Sequence, residues 1–136
     1  PVGLIDVAPT LLELAGVPGP DNLQGQSLVP MLKDATAQGR GWALSQVSRG
    51  GGKNAAPFYG YTLRTERYRY TEWGEGTQGR ELYDHREDPR ELTNLAAKPE
   101  HAATIAELSG VLQAAVRGTF PPSGERPEIP AGAGMW

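Results

Sequence analysis

Apolar residues recur at helical spacing near both ends of the chain and alternate with polar ones between them. Near the start, Val7, Leu11 and Leu14 share one face, with Ala8, Leu12 and Ala15 beside them, which predicts a helix of about two to three turns. Asp6 is its predicted N-cap, with the carboxylate accepting first-turn N–H groups, and Pro9 is tolerated because those donors have no intrahelical partner. Gly16 followed by Val17-Pro18 supplies the stop. The apolar stripe wraps much of this helix, so it wants neighbours on more than one side. Ser27 is expected to cap a shorter helical turn, LVPMLKD, and ATAQGRG (35–41) reads as a connector.

The middle of the chain changes period. WALSQVS (42–48) alternates as a strand does, and RGGGKNAAP after it reads as a flexible surface loop. In YGYTLRTERYRYTEW (59–73), Tyr59, Tyr61 and Leu63 alternate with Gly60, Thr62 and Arg64. Thr65-Glu66-Arg67 can turn, and Tyr68, Tyr70 and Glu72 then alternate with Arg69, Thr71 and Trp73. Two β-prone arms around a polar turn predict a hairpin, and cross-strand aromatic pairs worth roughly 0.2–1 kcal/mol each give its tyrosines a structural purpose. A further strand is expected at 79–84, and Leu92, Leu95 and Ala96 suggest a helical turn.

The clearest element is the last. Ile105, Leu108, Leu112, Ala115 and Val116 recur at spacings of three and four between Pro99 and Arg117, with Gly118 as the stop. Burying that stripe is worth roughly 5–10 kcal/mol before ordering entropy is subtracted, so it must lie on the sheet. Residues 121–136 have no periodicity and read as an irregular tail. The fold class expected is α+β: a small antiparallel sheet of about four strands against a long C-terminal helix.

Composition narrows the function classes. The 136 residues suit one ordinary domain, and 18 Gly with 12 Pro make it loop-rich. A net charge of -3 provides no basic field for a phosphate backbone, so no nucleic-acid partner is expected. No apolar run approaches the roughly 20 residues that span a bilayer, so no membrane partner is expected either. The absence of Cys excludes disulfides, thiolate zinc sites and a cysteine nucleophile within these residues. The chain begins at Pro1 and enters patterned structure at once, which reads as a piece of something longer.

Candidate chemistry is sparse. RGGGK lacks the Gly and the Ser or Thr of a phosphate loop, since Val47 and Asn54 occupy those positions. Asp84, His85, Glu87 and Asp88 sit in a sequence that turns, with Arg86 and Arg90 to balance the charge, and read as a solvated turn. Asp21-Asn22 lies among glycines and prolines and reads as a turn too, and His101 as a surface residue at a helix start. No Ser-His-acid set stands out, so neither catalytic nor metal residues are assigned. Residue types alone therefore point to no active site, and the hairpin's Tyr61, Leu63, Tyr68 and Tyr70 read as scaffold.

Three ordered segments carry a resemblance. LIDVAPTLLELAGVP with LQGQSLVPMLKD resembles the stretch that closes the catalytic domain of type I sulfatases, in the alkaline phosphatase superfamily. YGYTLRTERYRYTEW and ELYDHREDPRELTNLA resemble the hairpin and the segment that follow it, most closely in the iduronate-2-sulfatase-like branch. The resemblance implies that residues 1–41 end the α/β catalytic domain and that 42–120 form the smaller C-terminal subdomain.

It further implies that calcium and a formylglycine act in the complete enzyme but not in this chain, where no serine begins S-x-P-x-R. The partner implied is the N-terminal sulfatase catalytic domain, with a sulfated glycan as ligand. On that implication Arg64, Trp73 and Tyr59 are the candidate substrate-binding residues, since an arginine fork suits carboxylate and sulfate oxygens and an indole face suits a sugar ring. Arg64, Arg67 and Arg69 have Glu66, Glu72, Glu81 or that catalytic domain as candidate partners. Family placement would be periplasmic, secreted or lysosomal. The chain is then expected to be a C-terminal fragment, inert alone. Two alternatives stay open: a noncatalytic carbohydrate-binding or interaction module, and a fragment of a related phosphodiesterase or phosphonate hydrolase.

Overall fold

The computed structural model describes residues 1–50, 56–121 and 123–124. The loop expected around Lys53 and nearly all of the 121–136 tail lie outside the described residues. The chain divides into two compact units, Pro1–Ala43 and Leu44–Trp136.

In the first unit a 3-10 turn, Leu4–Asp6, runs into α1 (Val7–Ala15), and α2 covers Val29–Lys33. Gly16 ends α1 in the left-handed region at φ 65°, with its own N–H and that of Val17 returned to the last turn, as the sequence predicts. Asp6 corrects the expectation placed on it. Its carboxylate makes no bond to the first turn of α1. It accepts the N–H of Gly3 at 2.8 Å, the N–H of Gln26 at 2.9 Å and Arg40 Nη2 at 2.5 Å. Thr10 Oγ1 donates to the Asp6 carbonyl at 2.5 Å and accepts the Leu28 N–H at 2.9 Å.

Those bonds lash residues 25–28 to the start of α1, and a Cβ on Gly25 would collide with the Ile5 carbonyl. Ser27 is one residue off its predicted capping place: Leu28 holds the N-cap position, and Ser27 Oγ accepts the Val29 N–H at 3.2 Å. The outer side of α1 stays exposed, with Leu11 at 59% and Leu14 at 60%, and Leu4 before it at 91%.

The second unit is built on a four-stranded antiparallel sheet in the order β1 (Trp42–Arg49), β2 (Phe58–Thr65), β3 (Tyr68–Trp73), β4 (Arg80–Asp84), with Trp42 and Ala43 at the boundary between the units. The register pairs Leu63 with Tyr70 and Tyr70 with Leu82, so these three form one inward row. A 3-10 turn, Pro99–His101, leads into α3 (Ala102–Arg117). Leu108, Leu112, Ala115 and Val116 of α3 are buried, together with Tyr61, Leu63, Tyr70 and Leu82 of the sheet. The periodicity of α3 is thereby satisfied, because its apolar stripe meets the tyrosine and leucine rows.

The helical turn expected at Leu92–Ala96 does not form. Asn94 Oδ1 accepts the Leu82 N–H at 3.0 Å and the Leu95 N–H reaches the Leu82 carbonyl at 2.8 Å, so the segment is drawn along β4. Leu92 is 74% exposed. Among the described residues no helix is long and apolar enough to cross a membrane.

Candidate functional site

The pleat sorts the candidate residues onto two faces. Ser109 of α3 donates to Glu72 at 2.7 Å, so the face bearing Tyr61, Leu63, Tyr70 and Glu72 is the one α3 covers. Gly60, Thr62 and Arg64 of β2 oppose Trp73, Thr71 and Arg69 of β3 on the other face.

On that second face Trp73 is held from several sides. Its Nε1–H donates to Glu81 Oε1 at 2.9 Å, Phe58 meets it edge-on at 6.4 Å, and the Arg49 guanidinium lies 5.6 Å from the ring centroid. Gly60 leaves room for the ring, since a Cβ there would overlap Trp73 Cε3 and Cζ3. Arg64 spends Nη1 on the hairpin turn, donating to the carbonyls of Thr65 at 2.5 Å and Tyr68 at 3.2 Å, and its Nη2 reaches His85 Nδ1 at 3.0 Å. Tyr59 lies on the α3 face, its ring 5.8 Å from that of Tyr61. The three candidates do not converge: Arg64 and Trp73 stand at opposite ends of the β2–β3 ladder, and Tyr59 faces the other way.

Two arginines of the hairpin pair within the chain with acids other than Glu66, Glu72 and Glu81. Arg67 forks onto Asp84, with Nη2 at 2.6 Å and Nε at 3.0 Å from Oδ2, and its guanidinium lies 4.8 Å from the Tyr68 ring centroid. Arg69 forks onto both oxygens of Glu91 and lies 5.0 Å from the Tyr83 ring centroid. His85 Nε2 meets Glu91 Oε1 at 2.6 Å.

Glu81 holds the Trp73 indole, and Glu72 takes the hydroxyls of Tyr70 and Ser109, each at 2.7 Å, with the Arg80 Nε 3.6 Å away. YDHREDP is therefore not simply a solvated turn, since Asp84 is 4% exposed. Glu91 adopts φ 57°, a left-handed conformation uncommon outside glycine, to reach both Arg69 and His85.

Charge states follow from these contacts. The Arg67 hydrogen bond holds the Asp84 carboxyl below its usual range against the opposing effect of burial, and the same bond raises Arg67. Burial pushes Glu91 up, but the bonds from Arg69 and His85 outweigh it and leave it lowered. The Tyr70 phenol is pushed up to about 12, by burial first and then by its bond to Glu72.

Two cavities flank α3. One of about 250 Å³ is lined by Tyr61, Glu72, Leu112, Val116 and Phe120, and the other, of about 380 Å³, by Tyr70, Arg80, Lys98, Ile105 and Ser109. None of the three candidate residues lines either. The sequence reading took Glu72 as an arginine partner and passed over Ser109; a carboxylate on the same row as two tyrosines was the available signal for its buried role. Among the described residues no three His, Cys, Asp or Glu side chains gather to hold a metal ion, and Asp21 and Asn22 are exposed in a turn.

Comparison with known proteins supplies what the geometry does not. The family model for the C-terminal part of N-sulphoglucosamine sulphohydrolase matches residues 2–117. Arylsulfatase K of Rattus norvegicus is 37% identical over 71% of this chain and 18% of its own length. A solved structure in complex with its substrate D-glucosamine-2-N,6-O-disulfate is 30% identical with a TM-score of 0.70, over 84% of this chain and 24% of the other. The phosphonate monoester hydrolase of Agrobacterium radiobacter is 28% identical with a TM-score of 0.66, over 85% and 25%. The chain spans about a fifth of the length of the curated relatives it matches.

Proposed function

The chain belongs to the family of the N-sulphoglucosamine sulphohydrolase C-terminal region, and from that premise we propose that it is the C-terminal part of a sulfatase acting on sulfated sugars. The single observation carrying this reading is the family match across 2–117, which takes in both units. The likeness to a protein solved with a disulfated glucosamine supports the substrate class.

In this reading the chain is scaffold. Its partner is an N-terminal catalytic domain, and the exposed Leu4, Leu11 and Leu14 are the surface that domain covers. In this reading calcium and the formylglycine belong to that domain, and no step of the reaction is assigned to this chain's residues. Arg64 and Trp73 brace the hairpin. Tyr59, whose hydroxyl makes no hydrogen bond among the described residues, is the candidate best placed to meet a sugar.

The test has two arms. The purified chain with calcium and an aryl sulfate releases no sulfate above a blank, whereas the chain joined to its encoded upstream sequence does. Sulfate release that copurifies with the isolated chain would sink the scaffold assignment. A phosphonate monoester run in parallel addresses the second reading, which the likeness to the phosphonate hydrolase favours: turnover of that ester with none of the sulfate would replace the sulfatase by its relative.

A further inference from the structure

Arginine can only donate hydrogen bonds. With Arg64 Nη2 at 3.0 Å, His85 Nδ1 must therefore be the acceptor, which leaves the ring proton on Nε2, where Glu91 Oε1 receives it at 2.6 Å. We propose that His85 is held as the neutral Nε2–H tautomer and acts as an acid-sensitive latch between the β2–β3 turn and the loop after β4. A proton taken from solvent onto Nδ1 removes the acceptor and sets an imidazolium against a guanidinium. The Arg64–His85 bond then opens, while the bond to the Glu91 carboxylate becomes an ion pair and strengthens.

The surrounding charges support that direction. Arg67 of the β2–β3 turn and Arg69 of β3 face the same region, but Asp84 of β4 and Glu91 of the loop match them. Among the described residues Arg64 makes no ion pair, so its charge stands uncompensated beside the ring. Its Nη1 remains on the turn carbonyls of Thr65 and Tyr68, so acid frees the Nη2 arm and leaves the turn closed. Nothing in this rests on the sulfatase reading.

The experiment is long-range nitrogen–proton correlation on the whole chain with labelled histidine and arginine, followed from alkaline to acid pH. His101, whose ring makes no hydrogen bond among the described residues, is the internal reference. The expected result is a preference of about tenfold for the Nε2–H tautomer at His85 over His101, with the Arg64 guanidinium signals shifting in step with His85 protonation.

Arg64→Met should bring the tautomer ratio at His85 towards that of His101. A dominant Nδ1–H form, a mixture like that of His101, or Arg64 signals that stay still while His85 protonates would each overturn the latch. If Arg64→Met does not fold, the tautomer and titration of the unaltered chain decide alone.

Discussion

The indole of Trp73 lies against the backbone of Gly60, its directly opposed residue on the neighbouring strand. A glycine inside a strand costs stability, since it gives up backbone freedom and offers nothing to pack. Here a cross-strand aromatic covers the gap, and the Glu81 bond and the Phe58 edge fix the ring in place.

Gly60→Ala should therefore destabilise the chain by about 1–3 kcal/mol, because the added methyl enters space the ring occupies. Thermal unfolding of Gly60→Ala beside Gly60→Ala/Trp73→Leu measures it. The double variant should recover part of the loss, and an unchanged Tm for the single variant would mean that the ring can move aside.

Asp6→Ala should cost about 3–5 kcal/mol in the first unit, since it strips a carboxylate that is 1% exposed from Arg40 and two backbone N–H groups. Hydrogen exchange at Gly3 and Gln26 reports the loss locally. Protection that survives in the variant would show that Asp6 is dispensable there.

Acid should weaken the second unit through Asp84. Its carboxyl is lowered in the folded state by Arg67, so the stability it contributes is present above its unfolded pKa and disappears as pH falls through the folded value. Glu91, also lowered, acts in the same direction. Denaturant midpoints measured from neutral to acid pH should fall more steeply for the parent chain than for Asp84→Asn; parallel slopes would contradict the pairing.

Alkali should act through Tyr70. A phenol pushed up to about 12 when folded contributes stability that is complete below its unfolded pKa and lost as pH rises through the folded value. Phenolate absorbance should show one tyrosine ionising late or together with unfolding. Tyr70→Phe should abolish that step while leaving Glu72 with its Ser109 donor and the Arg80 Nε 3.6 Å away.

Much of this was legible in the pattern of residues. The three-and-four spacing of Leu108, Leu112, Ala115 and Val116 has one reading, and the structure buries all four. Alternation within each arm of 59–73, broken at the 65–67 turn, likewise grouped Leu63 with Tyr61 and Tyr70 with Glu72, and the structure turns both sets inward. The Leu92–Ala96 turn was misread because a short apolar run has no intrinsic answer; the side chain of Asn94, bonded to β4, settled it.

What the sequence determined by itself was the order of elements, their inward faces and, through three ordered motifs, the family. Periodicity and local turn chemistry act over a few residues, so a single chain displays them openly. The partners of the charged side chains were decided only by the tertiary structure. Asp6 meets Arg40 across 34 positions, Arg69 meets Glu91 across 22, and Arg64 meets His85 across 21. An arginine bears the same charge beside any acid. Which acid it meets depends on strand register and on how the following loop folds back, and neither is written in the spacing of the residues themselves.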